Sequence, residues 1–265
     1  AAGSEHGGVL GAGVSVEMAT FGNISDSFTR LEGISFTTTA SYTLYTNGTM
    51  VGINIKDCVV DSGPSAQANV ISMTAGSAAH PVVVENCVAT NPAKAMSCGG
   101  ADKHIRFINC TSVGGFSLTR GAASTIEITN CLSPAACGIY SSGGTVSGSG
   151  NVTLGGLNTI PGARALDQDW TFSTNPADPS TGSLAIYDAT TGALVRAAGN
   201  DAIGVGTTTG IPAEDINGVT RLRGTYVDPG AFSLDLLEIG RTIDAAGGGD
   251  YTSFTQAEAD VTALP

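Results

Sequence analysis

The charged residues in the middle of the chain include the side-chain types that perform acid–base chemistry. Proton abstraction beside a sugar carboxylate needs several acidic groups that hold Ca²⁺ and a basic residue that takes the proton. Glycoside hydrolysis needs two facing carboxylates about 5 to 9 Å apart. If the protein is an enzyme, the catalytic candidates are Glu85, Asp102, Arg106 and Glu127. The wider set of charged residues, which forms no dense aspartate cluster, adds Lys56, Asp57, Asp61, Lys103 and Arg120.

The backbone elements that would position these side chains form a sequence repeat. Five short β-rich segments each end in a turn-forming residue that a small apolar residue follows: TRLEGISF, INIKDCVV, VVVENCVA, IRFINCTS and IEITNCLS. The turn position holds only Gly, Asp or Asn, the residues that tolerate a left-handed backbone. We assign it to Gly33, Asp57, Asn86, Asn109, Asn130 and Asn151. Such a repeat indicates a solenoid with one coil per repeat.

A second, weaker repeat of strand-like runs that close on glycine lies between these segments, at residues 44–48, 72–76, 96–100, 117–121 and 139–143. No amphipathic helical pattern of ten or more residues separates the strands, which favours a parallel β-helix over leucine-rich or helical repeats. Parallel crossovers are right-handed as a general rule. The sequence therefore predicts an all-β fold, a right-handed single-stranded parallel β-helix with an irregular β cap at its C-terminal end.

The alternation of apolar and polar residues predicts which side chains of the first repeat point inward. The inward set is Ile53, Ile55, Val82, Val84, Ile105, Phe107, Ile126 and Ile128. The outward set is Arg30, Glu32, Asn54, Lys56, Val83, Glu85, Arg106, Ile108, Glu127 and Thr129. In a parallel stack each outward residue lies beside its counterpart one coil away, so the outward set forms columns.

These columns predict ion pairs between neighbouring coils. Glu32, Lys56 and Glu85 would alternate in charge along one column, and Arg106 would lie beside Glu127. Exposed pairs of this kind contribute about 0–1 kcal/mol each, so we interpret them mainly as solubilising. We also place Glu85 and Glu127 two coils apart on one column, roughly 10 Å by coil stacking. That separation is too long for a retaining glycosidase pair and marginal for an inverting pair.

Four cysteines, Cys58, Cys87, Cys110 and Cys131, follow the turn residue directly. Ile34 and, by our assignment, Val152 hold the same position in the outer coils, so the position favours a small apolar group. We therefore expect a stacked column of free thiols, with one or two disulfides between neighbouring coils as the alternative. The chain has no C-x-x-C pair and no zinc spacing, so we predict no metal site.

Composition excludes several classes of function. The formal net charge is −12 with only 11 Lys and Arg, which argues against nucleic acid and against anionic membranes as partners. No apolar run approaches the length of a membrane span, so we predict no membrane insertion. The three histidines form no catalytic arrangement, and no nucleotide or dinucleotide motif points to a cofactor. An acidic chain of this kind is typical of an extracellular or virion protein.

The sequence changes character along its length and suggests three regions. Residues 1–157 contain the coils, residues 158–240 contain irregular β structure that would cap them, and residues 241–265 form an arm or the start of a following module. In the second region, DINGVTR (residues 215–221) and VDPGAF (residues 227–232) resemble the DINGxxR…xDxGAF/Y closing segment of right-handed parallel β-helix proteins, the pectate-lyase-like superfamily. Residues 198–206 resemble the GSPAIDAG element that usually precedes it.

The resemblance implies an architectural role for this region. Asp215, Asn217, Arg221 and Asp228 would form a polar cap network rather than a catalytic group. Pro229 departs from the isoleucine usual at its site. Residues 241–261 resemble the opening of a β-helix domain, as expected either of a tandem array or of an arm that docks on a neighbouring subunit. Modular proteins of this kind occur in phage virions and tail fibres and among secreted bacterial proteins.

These observations favour a non-enzymatic structural or adhesive virion protein, of the phage tail-fibre or capsid-decoration type, located in the virion or outside the cell. Its expected partners are further copies of the chain in a trimer, other virion proteins, or a cell-surface glycan. The outward aliphatic residues Val83 and Ile108 would mark the trimer face. The alternatives are an extracellular polysaccharide lyase or glycoside hydrolase, which is the enzymatic alternative that the resemblance implies, and a bacterial surface adhesin module.

Overall fold

A computed structural model describes the central part of the chain, and the statements below concern these residues. They are residues 14–18, 22–38, 43–46, 48–61, 69–91, 95–119, 121–133, 138–140, 144–154, 163–166, 170–173, 184–188, 206–216, 218, 220–221, 227–231 and 233. The chain divides into two compact units, residues 1–234 and 235–265, and every described residue belongs to the first. The boundaries of the three regions predicted from the sequence stay predictions.

The described residues form 22 strands and no helix, numbered here along the chain. Sheet A contains β1 Val14–Met18, β4 Ile34–Thr38, β7 Val59–Val60, β10 Val88–Ala89, β13 Thr111–Ser112, β16 Leu132–Ser133, β19 Asn151–Leu154 and β20 Ala163–Leu166. Sheet B contains β2 Gly22–Ile24, β5 Leu44–Thr46, β8 Asn69–Met73, β11 Ala95–Cys98, β14 Phe116–Thr119 and β17 Gly138–Tyr140. Sheet C contains β3 Arg30–Glu32, β6 Asn54–Lys56, β9 Val82–Glu85, β12 His104–Ile108, β15 Thr125–Thr129 and β18 Thr145–Ser149. A separate pair joins β21 Trp170–Ser173 to β22 Leu184–Asp188.

From β1 to β18 each coil contributes one strand to each of the three sheets, and β19 and β20 extend sheet A alone. Neighbouring strands within a sheet are parallel and come from successive coils, as in the pairing of β9 with β12 and of β12 with β15. The predicted parallel β-helix is therefore confirmed as a β-solenoid of about five turns. Sheet B corresponds to the second, weaker sequence repeat, and the first repeat supplies sheets C and A on either side of the turn residue.

The inward side chains of the three sheets form one continuous apolar core. All eight residues that the alternation pattern placed inward are buried, with exposed fractions of 0–1%. Sheet B adds Leu44, Ile71, Met73, Met96 and Leu118 to the same core. Phe107 of sheet C and Phe116 of sheet B meet edge to face, with ring centroids 5.7 Å apart. Full burial of such a side chain stabilises the fold by about 1.5–3 kcal/mol.

The turn between sheets C and A has a positive φ in every coil, and its residues form the bend column. The column contains Gly33, Asp57, Asn86, Asn109, Asn130 and Gly150, with φ angles between 50° and 66°. The assignment of the last turn to Asn151 was wrong, because Gly150 has the positive φ and Leu132 pairs with Val152. Asn151 therefore aligns with Cys131 rather than with Asn130. Both residues of the Gly-Asn pair tolerate a left-handed turn, and glycine does so without steric cost.

Cys58, Cys87, Cys110 and Cys131 form the thiol column directly beside the bend column. These four residues and Cys98 are buried free cysteines, as expected, whereas Cys137 lies outside the described residues. The Cys110 thiol donates to carbonyl oxygens of its own coil and of the preceding one, at Ile108 (3.4 Å) and Val84 (3.3 Å). These bonds satisfy the thiols within the core.

Asn151 continues the thiol column with an amide in place of a thiol. Its Nδ2 donates to the Ile128 carbonyl at 2.8 Å, and its Oδ1 accepts the Cys131 backbone N–H at 2.8 Å. A buried amide needs both kinds of partner, and this position supplies them. The prediction that Val152 continues the thiol column was wrong. Val152 is an outward residue of sheet A and is nevertheless buried.

The described residues between 206 and 233, here called the lateral segment, lie along the side of the coils against the bend column. Asn130 exchanges two hydrogen bonds with Thr207, both 2.7 Å long, and the Gly230 N–H donates to the Asn130 carbonyl at 2.6 Å. The Ala231 N–H donates to Thr111 Oγ1, on the outer face of sheet A, at 2.9 Å. The cap predicted for residues 158–240 stays a prediction: β20 of that region extends sheet A beyond β19, and the lateral segment contacts the flank.

Arg221 joins the lateral segment to the solenoid from a fully buried position. Its Nη2 donates to Asn86 Oδ1 (2.7 Å) and to the Ala231 carbonyl (2.9 Å), and its Nη1 donates to the Asp228 carbonyl and to Ser233 Oγ. Burial lowers the pKa of this guanidinium to about 10, against the opposing effect of the nearby acidic residues Asp215 and Asp228. The predicted polar network around Arg221 is therefore present, with Asn217 outside the described residues.

We expect the five described thiols to be unreactive in the folded protein. They are buried, and burial raises the pKa of the Cys87 thiol well above its ordinary value, which removes the reactive thiolate. The measurement is titration with Ellman's reagent of a Cys137→Ser variant, before and after unfolding in guanidinium chloride. Five equivalents should appear only after unfolding; fewer would show a disulfide, and rapid native reaction would contradict the buried column.

Asn86 and Asn109 allow a matched test of the lateral segment. Glycine at either position keeps the positive φ and removes only the side chain. Asn86→Gly takes away the acceptor of buried Arg221, and we expect a loss of about 2–3 kcal/mol in unfolding free energy. Asn109→Gly removes two longer bonds of 3.4 Å, to Asp228 and Gly230, and should cost about 1 kcal/mol. Urea denaturation of both variants measures the difference, and equal losses would contradict the role of Arg221.

Candidate functional site

The outer face of sheet C carries three of the four catalytic candidates, and strand register arranges its side chains in columns. The middle column contains Arg30, Asn54, Val83, Arg106, Glu127 and Ser147. The bend-side column, next to the turns, contains Glu32, Lys56, Glu85, Ile108, Thr129 and Ser149. A third column at the start of the strands continues the same register through Phe28, Gly52, Pro81, His104, Thr125 and Thr145.

Glu85 and Glu127 belong to different columns, so the placement of both on one column was wrong. Glu85 pairs with Ile108, which pairs with Thr129, whereas Glu127 pairs with Arg106. The two carboxylates are thus separated by two residues along the strand as well as by two coils. On ordinary strand geometry this places their Cα atoms roughly 12 Å apart. This separation is longer than the roughly 10 Å expected from coil stacking alone, and it exceeds the about 5 to 9 Å that glycosidases need.

Lys56 lies beside two carboxylates, Glu85 of the bend-side column and Asp57 of the bend column. Its Nζ is 3.2 Å from Glu85 Oε1 on the next coil and 4.0 Å from Asp57 Oδ2 beside it. Burial alone would lower the pKa of Lys56. The hydrogen bond and charge of Glu85, with the charges of Asp57 and Glu32, outweigh burial and raise this pKa above its ordinary value. The predicted charge alternation along Glu32, Lys56 and Glu85 therefore brings Lys56 and Glu85 into direct contact.

Asp57 is the acidic group with the most unusual environment in the described part of the chain. Burial raises its pKa from 3.8 to about 6, against the opposing effects of a hydrogen bond with Asn86 and the charge of Lys56. The bend column places it there, because Asp57 occupies the turn position that asparagine holds in the next three coils. The place of Asp57 at the turn was predicted from the sequence, whereas the raised pKa of its carboxyl group was not.

Arg106 and Glu127 form a two-pronged ion pair, as predicted. Arg106 Nε donates to Glu127 Oε2 at 2.8 Å, and Nη2 donates to Oε1 at 3.2 Å. Both side chains are about two-fifths exposed, so the surrounding water weakens the pair. Its two parallel hydrogen bonds fix the orientation of both groups across neighbouring coils.

Asp102, the fourth candidate, lies in the exposed turn before β12 with a φ of 56°. Its backbone N–H donates to the Ala122 carbonyl at 2.9 Å. Asp102 is therefore near the start of the strands, whereas Glu85 is at their end. The structure brings Arg106 to Glu127 and Glu85 to Lys56, but it does not gather the four candidates around one groove.

The expected apolar face at Val83 and Ile108 is not formed. Ile108 is only 4% exposed although it points outward, and Val83 is half-buried between the polar residues Asn54 and Arg106 of its column. Ile108 precedes Asn109, whose side chain contacts the lateral segment at Asp228 and Gly230. Ile108 is thus covered within the chain and cannot mark a trimer face.

The remaining candidates add no catalytic cluster. Asp61 and His104 are half-buried, His80 is exposed, and Lys103 Nζ donates to the Gly48 carbonyl. His6 and Arg120 lie outside the described residues. Where the structure describes the chain, no three or more His, Cys, Asp or Glu side chains come together in a group able to hold a metal ion. No described helix is long and apolar enough to cross a membrane.

The exposed aromatic pair Phe28 and His80, at the start of the sheet C strands, was not predicted from the sequence. Phe28 is 67% exposed and has a φ of 58°, and its ring meets His80 edge to face with centroids 5.3 Å apart. Gly52 lies against the Phe28 ring, and a Cβ there would approach Cδ1 to 2.6 Å. The alignment of Phe28 with Gly52 in one column could have indicated an exposed ring packed over a glycine. The period-two pattern, however, identifies Phe28 only as an outward residue.

Comparisons with known proteins do not extend these observations. Neither protein-family models, nor curated proteins, nor solved structures match the chain. The fold defines the chain as a parallel β-solenoid, and the resemblance of its closing segment to the pectate-lyase-like superfamily rests on the sequence motifs alone.

We expect Asp57→Asn to change how stability depends on pH. The folded pKa of about 6 lies above the ordinary 3.8, so folding favours the protonated acid. The resulting stabilisation is complete below pH 3.8 and is lost as the pH rises through 6. Asparagine keeps the turn and removes the titration. Between pH 7.5 and pH 4.5 the wild type should gain roughly 1 kcal/mol relative to Asp57→Asn, after allowance for partial exposure.

Denaturant unfolding at the two pH values measures this gain. Asp102→Asn is the matched control, because Asp102 also has a positive φ but is exposed. Its stability relative to the wild type should stay the same at both pH values. A parallel response in the two variants would refute the assignment to the bend-column carboxylate.

Proposed function

We propose that the protein is a non-enzymatic structural or adhesive component of a virion, of the phage tail-fibre or capsid-decoration type, with a cell-surface glycan as its ligand. The proposal rests on one observation: charged side chains on the outer face of sheet C pair with each other across neighbouring coils. Lys56 pairs with Glu85 and Arg106 pairs with Glu127, each across neighbouring coils. Charges arranged in this way link coils, whereas catalysis would require them to converge on a substrate.

The lateral segment supports a load-bearing role. It is bound to three successive coils through Asn86, Asn109 and Asn130, so the coils are joined both by their sheets and along their flank. A solenoid normally holds each repeat only through its neighbours. The added connection favours a stiff rod, which suits a fibre or a decoration protein.

The virion assignment draws support from the sequence motifs. The DINGVTR and VDPGAF runs and the segment 241–261 resemble elements of modular β-helix proteins that occur in phage particles. A net charge of −12 is consistent with a role outside the cell and away from nucleic acid. A bacterial surface adhesin module would show the same features, so the source particle distinguishes the two.

An extracellular polysaccharide lyase or glycoside hydrolase is the second candidate, and one observation favours it. Burial raises the pKa of Asp57 to about 6, within the range of a general acid. The hydrogen bond with Asn86 and the place of Asp57 in the bend column provide a structural explanation for the same residue. We therefore rank the enzymatic function second.

A depolymerisation screen tests the proposal. The purified protein is incubated with capsular, pectic and alginate-type polysaccharides, with and without Ca²⁺, and reducing ends and unsaturated products are followed. We expect no turnover on any substrate. Turnover that Asp57→Asn or Glu85→Gln reduces at least 100-fold, while Glu17→Gln at an exposed position of sheet A leaves it unchanged, would replace the structural assignment with the enzymatic one.

The proposed assembly is a homotrimer, with contacts away from the covered Ile108. Light scattering behind a sizing column at micromolar concentration measures it directly. We expect three times the chain mass of 26.4 kDa. A monomer at that concentration would remove the trimer from the proposal.

A further inference from the structure

We propose that the exposed pair Phe28 and His80 is a binding platform that stacks against the apolar face of an uncharged sugar ring. This inference rests on the adhesive function proposed above and names the place and the chemical class of the ligand. It starts from the conformation of Phe28. A bulky residue with a φ of 58° is an outlier, and the left-handed region costs a non-glycine residue free energy. Strained residues of this kind concentrate at functional positions.

Several hydrogen bonds hold the strained backbone in place. The Phe28 N–H donates to the Val51 carbonyl at 2.8 Å, and the Val51 N–H donates to Ser27 Oγ at 3.1 Å. Thr29 Oγ1 donates to the Asp26 carbonyl at 2.7 Å and closes the turn. The turn is therefore bound to the next coil on both sides of Phe28. Its ring is presented to solvent by a fixed backbone.

The partner ring is fixed in the same manner. The backbone N–H and carbonyl groups of Ser77 and His80 exchange two hydrogen bonds, both 3.1 Å long, and the Gly52 N–H donates to the His80 carbonyl at 3.1 Å. The absence of a side chain at Gly52 leaves room for the Phe28 ring against the sheet. One face of the ring thus packs on the protein, and the 67% exposure of Phe28 leaves its other side to a ligand.

The chemistry of the platform fits a sugar ring. The face of an aromatic ring is electron-rich and attracts the weakly positive C–H groups on the apolar face of a pyranose. The imidazole of His80, next to the ring, supplies a hydrogen-bond donor and an acceptor for sugar hydroxyls. The net charge of −12 opposes uronate polymers, which favours an uncharged saccharide.

Binding of neutral and anionic oligosaccharides tests the platform. The probes are maltohexaose, cellohexaose and mannohexaose, with hexagalacturonate as the anionic comparison, and calorimetry and saturation-transfer NMR report binding to the full chain. We expect at least one neutral probe to bind, and to bind at least tenfold more tightly than hexagalacturonate. Phe28→Gly should weaken that binding at least tenfold, because glycine adopts the same φ and keeps the turn but lacks the ring.

Three further variants make the test specific. Phe28→Trp should retain or tighten binding, and His80→Ala should weaken it two- to fivefold. Val16→Ala, at the other large apolar residue that is exposed in the described part of the chain, should leave binding unchanged. Thermal unfolding of each variant verifies that the fold is kept.

Each contrary result refutes the platform, and the three results differ in what they leave standing. If a neutral probe binds the wild type and Phe28→Gly equally, the platform is refuted and the adhesive function stands. If no neutral probe binds, or hexagalacturonate binds more tightly, the platform and its ligand class are refuted, and the depolymerisation screen decides the structural role independently. If Phe28→Gly instead abolishes self-association of the wild type, the surface is a contact between copies and the sugar platform is refuted.

Discussion

The left-handed turn at the bend column is the constraint on which the rest of this structure depends. One residue per coil adopts a φ between 50° and 66°, and only Gly, Asn and Asp occupy that position. Because each turn bends the chain from sheet C into sheet A at the same point, the next residue of every coil falls into one column. That alignment stacks the thiols, sets the register of sheets A and C, and places Lys56 against Glu85 and Arg106 against Glu127. A register shift of one residue would move the inward side chains of each strand to its outer face.

Asparagine performs two tasks at this position that glycine cannot combine. Its backbone accepts the left-handed turn, and its side-chain amide reaches outward to the lateral segment. Asn86 contacts the Glu214 carbonyl and Arg221, and Asn130 contacts Thr207 on both its donor and its acceptor. The residue type that repeats for a local steric reason therefore also provides the binding surface for a distant part of the chain.

The parts of this architecture that depend on local pattern were predictable from the sequence. The period-two alternation identified the inward residues, and the restricted turn residues identified five of the six bends. The sixth was missed because Gly150 and Asn151 are adjacent and either residue can occupy such a turn. The burial of Ile108 could not be read from its strand, because the period-two pattern places this residue on the outer face. The placement of Glu85 and Glu127 on one column was wrong because two residues along the strand separate Glu85 from the column of Glu127.

The lateral segment is also the last described part of the chain to be synthesised. The hydrogen bond of Asn86 with Arg221 cannot form until Arg221 has been synthesised, 135 residues later. The hydrogen bond of Thr111 with Ala231 likewise needs a residue 120 positions further along the chain. During synthesis the coils can stack through their sheets, while Leu132 on the outer face of sheet A, against which Gly230 later packs, stays exposed beside the side chains of Asn130 and Thr111 without their later partners. The flank of the stacked coils therefore exposes apolar and unpaired polar groups until the lateral segment has been synthesised. A ribosome-bound or truncated chain is the form of this protein that most needs protection from aggregation.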